Sequence, residues 1–214
     1  MIKLFLDIET LPGDESLRGD IATGVRPPAS ITKPEMIRKW EEEQRPAKVE
    51  EEYRKTALEG LQGRILCIDY LREDGHGETE GVISGDERDI LTVFWELAGD
   101  VDLFVGFNVL DFDLKFIIQR SIINGVRPSR TISFARYRSE PVYDVMWEWE
   151  HWGNKRISLD RLAQALGIES PKDGIDGSKV YDYYQEGRTS EIYDYCLRDV
   201  KATREIYRRM NFLQ

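Results

Sequence analysis

The chain has 214 residues, long enough for one large domain or two small ones, with 41% hydrophobic and 33% charged residues, the composition of an ordinary globular protein. No apolar run approaches the roughly 18 residues that span a bilayer, and the first residues read at once as a strand rather than a signal peptide, so a cytoplasmic location is expected. A net charge of −10 argues against nucleic acid as a partner, yet residues 114–139 hold no acid while carrying Lys115, Arg120, Arg127, Arg130, Arg136 and Arg138. Cys67 and Cys196 lie far apart and form no C-x-x-C pair, which fits a reducing compartment and argues against a thiolate metal site. With only His76 and His151 as histidines, any metal site is expected to use oxygen ligands.

Residues 1–8 form an apolar run with the β-branched and aromatic members of a buried strand. Alternation puts Leu4, Leu6 and Ile8 on one face, and Phe5, Asp7 and Glu9 on the other. Two carboxylates then project side by side from an apolar element, and burying them without a cation costs several kcal/mol. Residues 11–31 are rich in Gly and Pro and read as irregular. Thr32 and Glu35 have capping-box spacing for a helix through Met36, Ile37 and Trp40 that Pro46 interrupts, and a second helix follows over 47–61. Residues 11–62 are therefore expected to be a helical insertion in a single domain covering 1–214.

Strands are predicted over 64–71 and 79–83, the second antiparallel, joined by the turn Asp74-Gly75-His76-Gly77. A helix over 87–97 precedes a short strand over 103–107. Residues 112–124 read as a helix stopped by Gly125, with Asp111 as its N-cap and Asp113 in its first turn. A fifth strand over 142–145 leads to helices from Ser158 to Gly167 and from Ser190 to Arg209. On that last helix Ile192, Tyr195, Asp199, Ala202 and Ile206 form one stripe, so an acid sits within the face that should be buried. This succession describes an α/β fold, a mixed five-stranded sheet with helices on both faces and a helical insertion after the first strand.

Phe-Leu-Asp-Ile-Glu-Thr at 5–10, Asn-x-x-x-Phe-Asp at 108–113, Tyr-x-x-x-Asp at 195–199 and Leu-Asp-x-Leu-Ala at 159–163 occur in this order. Together they resemble the DEDD superfamily of 3′–5′ exonucleases, tyrosine type, closest to the proofreading domains of family B DNA polymerases and their stand-alone relatives. The resemblance runs from Met1 to Glu9 and from Gly106 to Tyr207. It implies a ribonuclease H-like fold and four metal-binding acids, Asp7, Glu9, Asp113 and Asp199, with Tyr195 as the catalytic tyrosine. The histidine branch of the superfamily places its histidine at the position held here by Asp194. Thr10 and Asn108 match positions that hold the 3′ end or shape the site. The implied cofactors are two divalent ions, Mg2+ or Mn2+, and the implied substrate is single-stranded nucleic acid, DNA before RNA, cut to 5′-mononucleotides. Arg136 and Arg138, interleaved with Phe134 and Tyr137, are candidates to guide the strand. An exoribonuclease and a catalytically silent binding module are the alternatives. No Walker-type loop is present, so no nucleotide cofactor is expected, and no membrane partner either.

Overall fold

The computed structural model describes residues 1–170 and 175–213. Two compact units form, Met1–Glu9 with Ile65–Gln214, and Thr10–Arg64.

The larger unit is built on one sheet of β1 (Lys3–Leu11), β2 (Arg64–Asp74), β3 (Gly77–Ser84), β4 (Leu103–Gly106) and β5 (Val142–Asp144), in the order β3-β2-β1-β4-β5. β3 pairs antiparallel with β2, whereas β1, β4 and β5 run parallel, so the sheet is mixed. On one face Leu4, Leu6 and Ile8 of β1 meet Ile90, Leu91 and Phe94 of α4 (Glu87–Leu97) and Leu114 and Ile117 of α5 (Asp113–Ile123). On the other, Phe5 and Val105 meet Leu162 of α7 (Leu159–Leu166) and Val200, Ile206 and Tyr207 of α9 (Thr189–Met210). Each such side chain contributes about 1.5–3 kcal/mol on burial. Helices thus cover both faces, in the α/β arrangement of a ribonuclease H-like fold. The alternation along β1 that buries Phe5 against α9 also turns Asp7 and Glu9 to that face.

The parallel register, Phe5 opposite Val105, sets the end of β4 beside Asp7. Gly106 closes that strand where a Cβ would come within 2.6 Å of Val109 and 3.1 Å of the Leu6 carbonyl, so only glycine lets the chain turn there.

In the smaller unit residues 17–24, expected to be irregular, form α1 (Leu17–Gly24), which buries none of its residues and so shows no apolar stripe. α2 (Pro34–Glu43) starts with proline in its first turn and Lys33 at the cap, not the expected Thr32. Pro46 likewise sits in the first turn of α3 (Arg45–Lys55), which ends in a 3-10 turn at Thr56–Leu58 rather than reaching residue 61. The Tyr53 hydroxyl donates to the Gly13 carbonyl at 2.9 Å, and the Arg18 guanidinium lies 3.7 Å from the Tyr53 ring centre. Two short helices, α6 (Val145–Trp149) and α8 (Val180–Gln185), were not expected from the sequence.

Candidate active site

The site is assembled at the carboxyl ends of parallel strands, the usual place for ligands in an open α/β sheet. β1 supplies Asp7, half-buried, and Glu9, buried. α5 supplies Asp113, only 2% exposed, whose Oδ1 accepts the Ile8 backbone N–H at 3.0 Å and so fastens the start of α5 to β1 between the two acids. α9 supplies Tyr195, 8% exposed, and one turn later Asp199, half-buried, the partner of the Tyr195 hydroxyl.

Burial raises the pKa of Asp7 well above the carboxylate range, and Asp113, Asp199 and Glu9 push it further the same way. Glu9 is raised in the same sense by burial, then by Asp199, Asp113 and Asp69. Asp113 is pushed up to about 7, burial outweighing the backbone N–H groups that favour its charged form. The Tyr195 phenol is raised far above its ordinary value by burial and by Asp199, Glu9 and Asp7. Among the described residues no lysine or arginine pairs with Asp7, Glu9 or Asp113. Mutually repelling carboxylates with no protein cation between them are a donor set for hard divalent ions.

Asp111, expected to cap α5, points elsewhere: Phe112 occupies the cap position, and Asp111 faces Arg136 at 3.5 Å and Arg156 at 3.4 Å. The structure therefore brings Asp113, not Asp111, to Asp7 and Glu9. Asn108 adopts a left-handed conformation (φ 61°), its backbone N–H bound to Asp144 and its Oδ1 buried without a partner. Thr10 belongs to the smaller unit, where its hydroxyl donates to the Ala57 carbonyl at 2.7 Å.

The acid-free stretch divides. Arg120 is buried in a two-pronged ion pair with Glu87 (2.9 and 2.7 Å), and Arg130 donates to the Val101 carbonyl, so these two brace the core. Arg136 and Arg138 are exposed. Arg136 lies over Trp147 (5.6 Å), beside a cavity of about 310 Å³ lined by Lys115, Gln119, Phe134, Trp147 and Trp152. Trp147 and Trp152 stack at 5.7 Å with an interplanar angle of 9°.

Sequence reasoning missed Asp144 and Cys196. Asp144 is 1% exposed, and its carboxylate accepts the N–H groups of Asn108, Leu110, Met146 and Trp147 at 3.0–3.2 Å, tying the loop after β4 to the start of α6. An acid inside the apolar run 142–145 was its signal. The Cys196 thiol donates to Asp7 Oδ2 at 3.4 Å, and Asp7, Glu9 and Cys196 offer ligand atoms within 4.8 Å of one another. A thiol thus stands beside the oxygen ligands that the sequence led us to expect, since sequence distance said nothing of where α9 would lay its cysteine.

Residues 64–214 match a family described as a predicted 3′–5′ exonuclease related to the exonuclease domain of PolB. The chain belongs to this family. The match takes in Asp113, Tyr195 and Asp199, and β1 with Asp7 and Glu9 precedes it. No curated protein matches the chain. Among the described residues no helix of this family member is long and apolar enough to cross a membrane.

Proposed function

We propose that the chain is a tyrosine-type DEDD exonuclease that removes nucleotides from the 3′ end of single-stranded nucleic acid, with DNA favoured because the family is related to the PolB exonuclease domain. The observation that carries this reading is the convergence of Asp7, Glu9, Asp113 and Asp199 around Tyr195, each acid raising the proton affinity of its neighbours. Two Mg2+ or Mn2+ ions held by these four acids would activate the attacking water and stabilise the leaving 3′-oxygen. Tyr195 keeps its proton at neutral pH, so its hydroxyl orients the water and does not act as the base. Asn108, held left-handed beside Asp144 with its Oδ1 buried and unpartnered, shapes the turn that leads to Asp113. The Thr10 hydroxyl donates its hydrogen bond to the Ala57 carbonyl, so only its oxygen lone pairs could accept from a ligand.

The test is a labelled single-stranded oligonucleotide with Mg2+ or Mn2+. Release of 5′-mononucleotides from the 3′ end, with a circular single strand left intact, is expected. Binding without release would favour the silent module, faster digestion of a matched RNA an exoribonuclease, and cutting of the circle would overturn the reading.

The strand reaches the site past Arg136, Arg138 and the aromatic cavity, where a splayed base can stack for about 1–3 kcal/mol. Each phosphate contact on a single strand contributes about −0.7 to the slope of log K against log salt. Arg136→Ala with Arg138→Ala should make the slope for binding in Ca2+ shallower by up to about 1.4 at unchanged melting temperature. An unchanged slope makes these arginines structural, Arg136 holding Asp111 and Trp147 in place.

A further inference from the structure

Two groups next to the acid cluster have no part in the proposed reaction. Alternation along β2 buries Ile68 with α4 and α5, and sends Cys67 and Asp69 to the face that meets α9. There they meet Cys196, and all three residues are 0% exposed. The two Sγ atoms and a carboxylate oxygen of Asp69 lie within 4.8 Å of one another, the span of the ligands around one ion. Among the described residues no N–H or O–H group donates to either oxygen of Asp69; the thiols of Cys67 and Cys196, weak donors, act on it, and no lysine or arginine does. A buried acid answered by thiol hydrogens alone, with no cation, is costly, and a native fold keeps one only where something better answers it. Two sulfurs beside one carboxylate are not the surroundings that magnesium selects. They suit a thiophilic d10 cation of tetrahedral preference. Asp7 and Glu9 also lie within 4.8 Å of Cys196, so this group borders the four acids.

We propose that Cys67, Asp69 and Cys196 form a site for one zinc-class cation, abutting the four carboxylates and chemically distinct from them. Binding releases the two thiol protons to solvent, forms two metal–sulfur bonds and one metal–oxygen bond, and leaves three anionic ligands around a dication. It also withdraws the thiol hydrogen that Cys196 offers to Asp7, so the site reports directly on the neighbouring acids.

The test is a titration of the full chain with Co2+ in excess Mg2+, which keeps the oxygen ligands occupied, each point held until the spectrum is stable. Expected is thiolate-to-cobalt charge-transfer absorption with the strong visible bands of a tetrahedral ion, saturating at one equivalent and bleached by Zn2+. Cys67→Ser should reduce the charge-transfer intensity per bound cobalt, and Asp69→Asn should retain it. Both should weaken binding by at least about tenfold, the lower end of what supporting metal-site residues cost. Thermal melts before metal addition establish that both near-isosteric variants are folded. The proposal is overturned if the wild-type chain develops no charge-transfer absorption, or if folded Cys67→Ser and Asp69→Asn bind cobalt as tightly as wild type. Neither readout depends on whether the chain cleaves nucleic acid.

Discussion

Asp7→Ala is expected to abolish nucleotide release and to leave the protein folded. Asp7 is the acid on which the others converge: Asp113, Asp199 and Glu9 all act on its carboxylate, and the Cys196 thiol points at it. Without it the proposed metal site loses a ligand that no neighbour replaces, because Glu9 and Asp113 would already be committed to the same ions. The expected loss is at least about 10³-fold, or ~4 kcal/mol of barrier. Folding survives because the change removes one member of a repelling set while Phe5, Leu6 and Ile8 continue to hold β1 in both cores. Asp199→Ala should behave in the same way. Tyr195→Phe is milder, about tenfold or ~1.4 kcal/mol, since the ring still packs and only the hydroxyl that orients water is lost. Initial rates on a labelled oligonucleotide, with circular dichroism as the folding control, check all three. Undiminished digestion by Asp7→Ala would refute the site.

In the absence of divalent ions, the protein loses stability as pH rises from about 5 to 7. Asp113 and Asp69 are raised from ordinary carboxylate values to about 7, so across this window the folded state holds protons that the unfolded chain has released. Unfolding then becomes easier with rising pH, the reverse of the usual acid denaturation. Surface acids held low by arginine, such as Glu50 and Glu73, act in the usual sense, but their window lies below pH 5. Raising one carboxylate from 3.8 to about 7 corresponds to at most ~4 kcal/mol, less when neighbours share the proton. Mg2+ or Mn2+, binding only the folded state, should raise the melting temperature most at pH 7 and flatten the profile. Asp113→Asn should stabilise the metal-free protein and blunt the response to metal. If Asp111→Asn did so instead, the wrong acid of the second motif would have been chosen. Melting curves at pH 5, 6 and 7, with and without metal, decide.

The sequence carried the local part of this architecture. The period-2 pattern of β1 sorted Leu4, Leu6 and Ile8 from Phe5, Asp7 and Glu9, because one strand between two cores leaves no other register. α4 is legible from residue 87 to 97, where Ile90, Leu91 and Phe94 mark a buried stripe. α1 was not, since a helix that buries nothing leaves no periodic trace. Partners distant along the chain were equally hidden. Arg120 looked available for phosphate until α5 laid it against Glu87, and Cys67 looked remote from Cys196 until β2 and α9 brought them together. Asp69 and Asp144 carried the same mark as Asp7, an acid inside an apolar run, but a strand alone does not tell whether such a group meets a metal, a row of amides or nothing at all.

Asp144 makes the centre depend on a distant strand. The loop that delivers Asn108 and leads into Asp113 hangs from a carboxylate 34–36 residues further along the chain, and that carboxylate is in position only once β5 has paired with β4. The placement of Asp113 is thereby coupled to a strand that carries none of the four clustered acids, so a substitution that loosens β5 is expected to be felt at the centre.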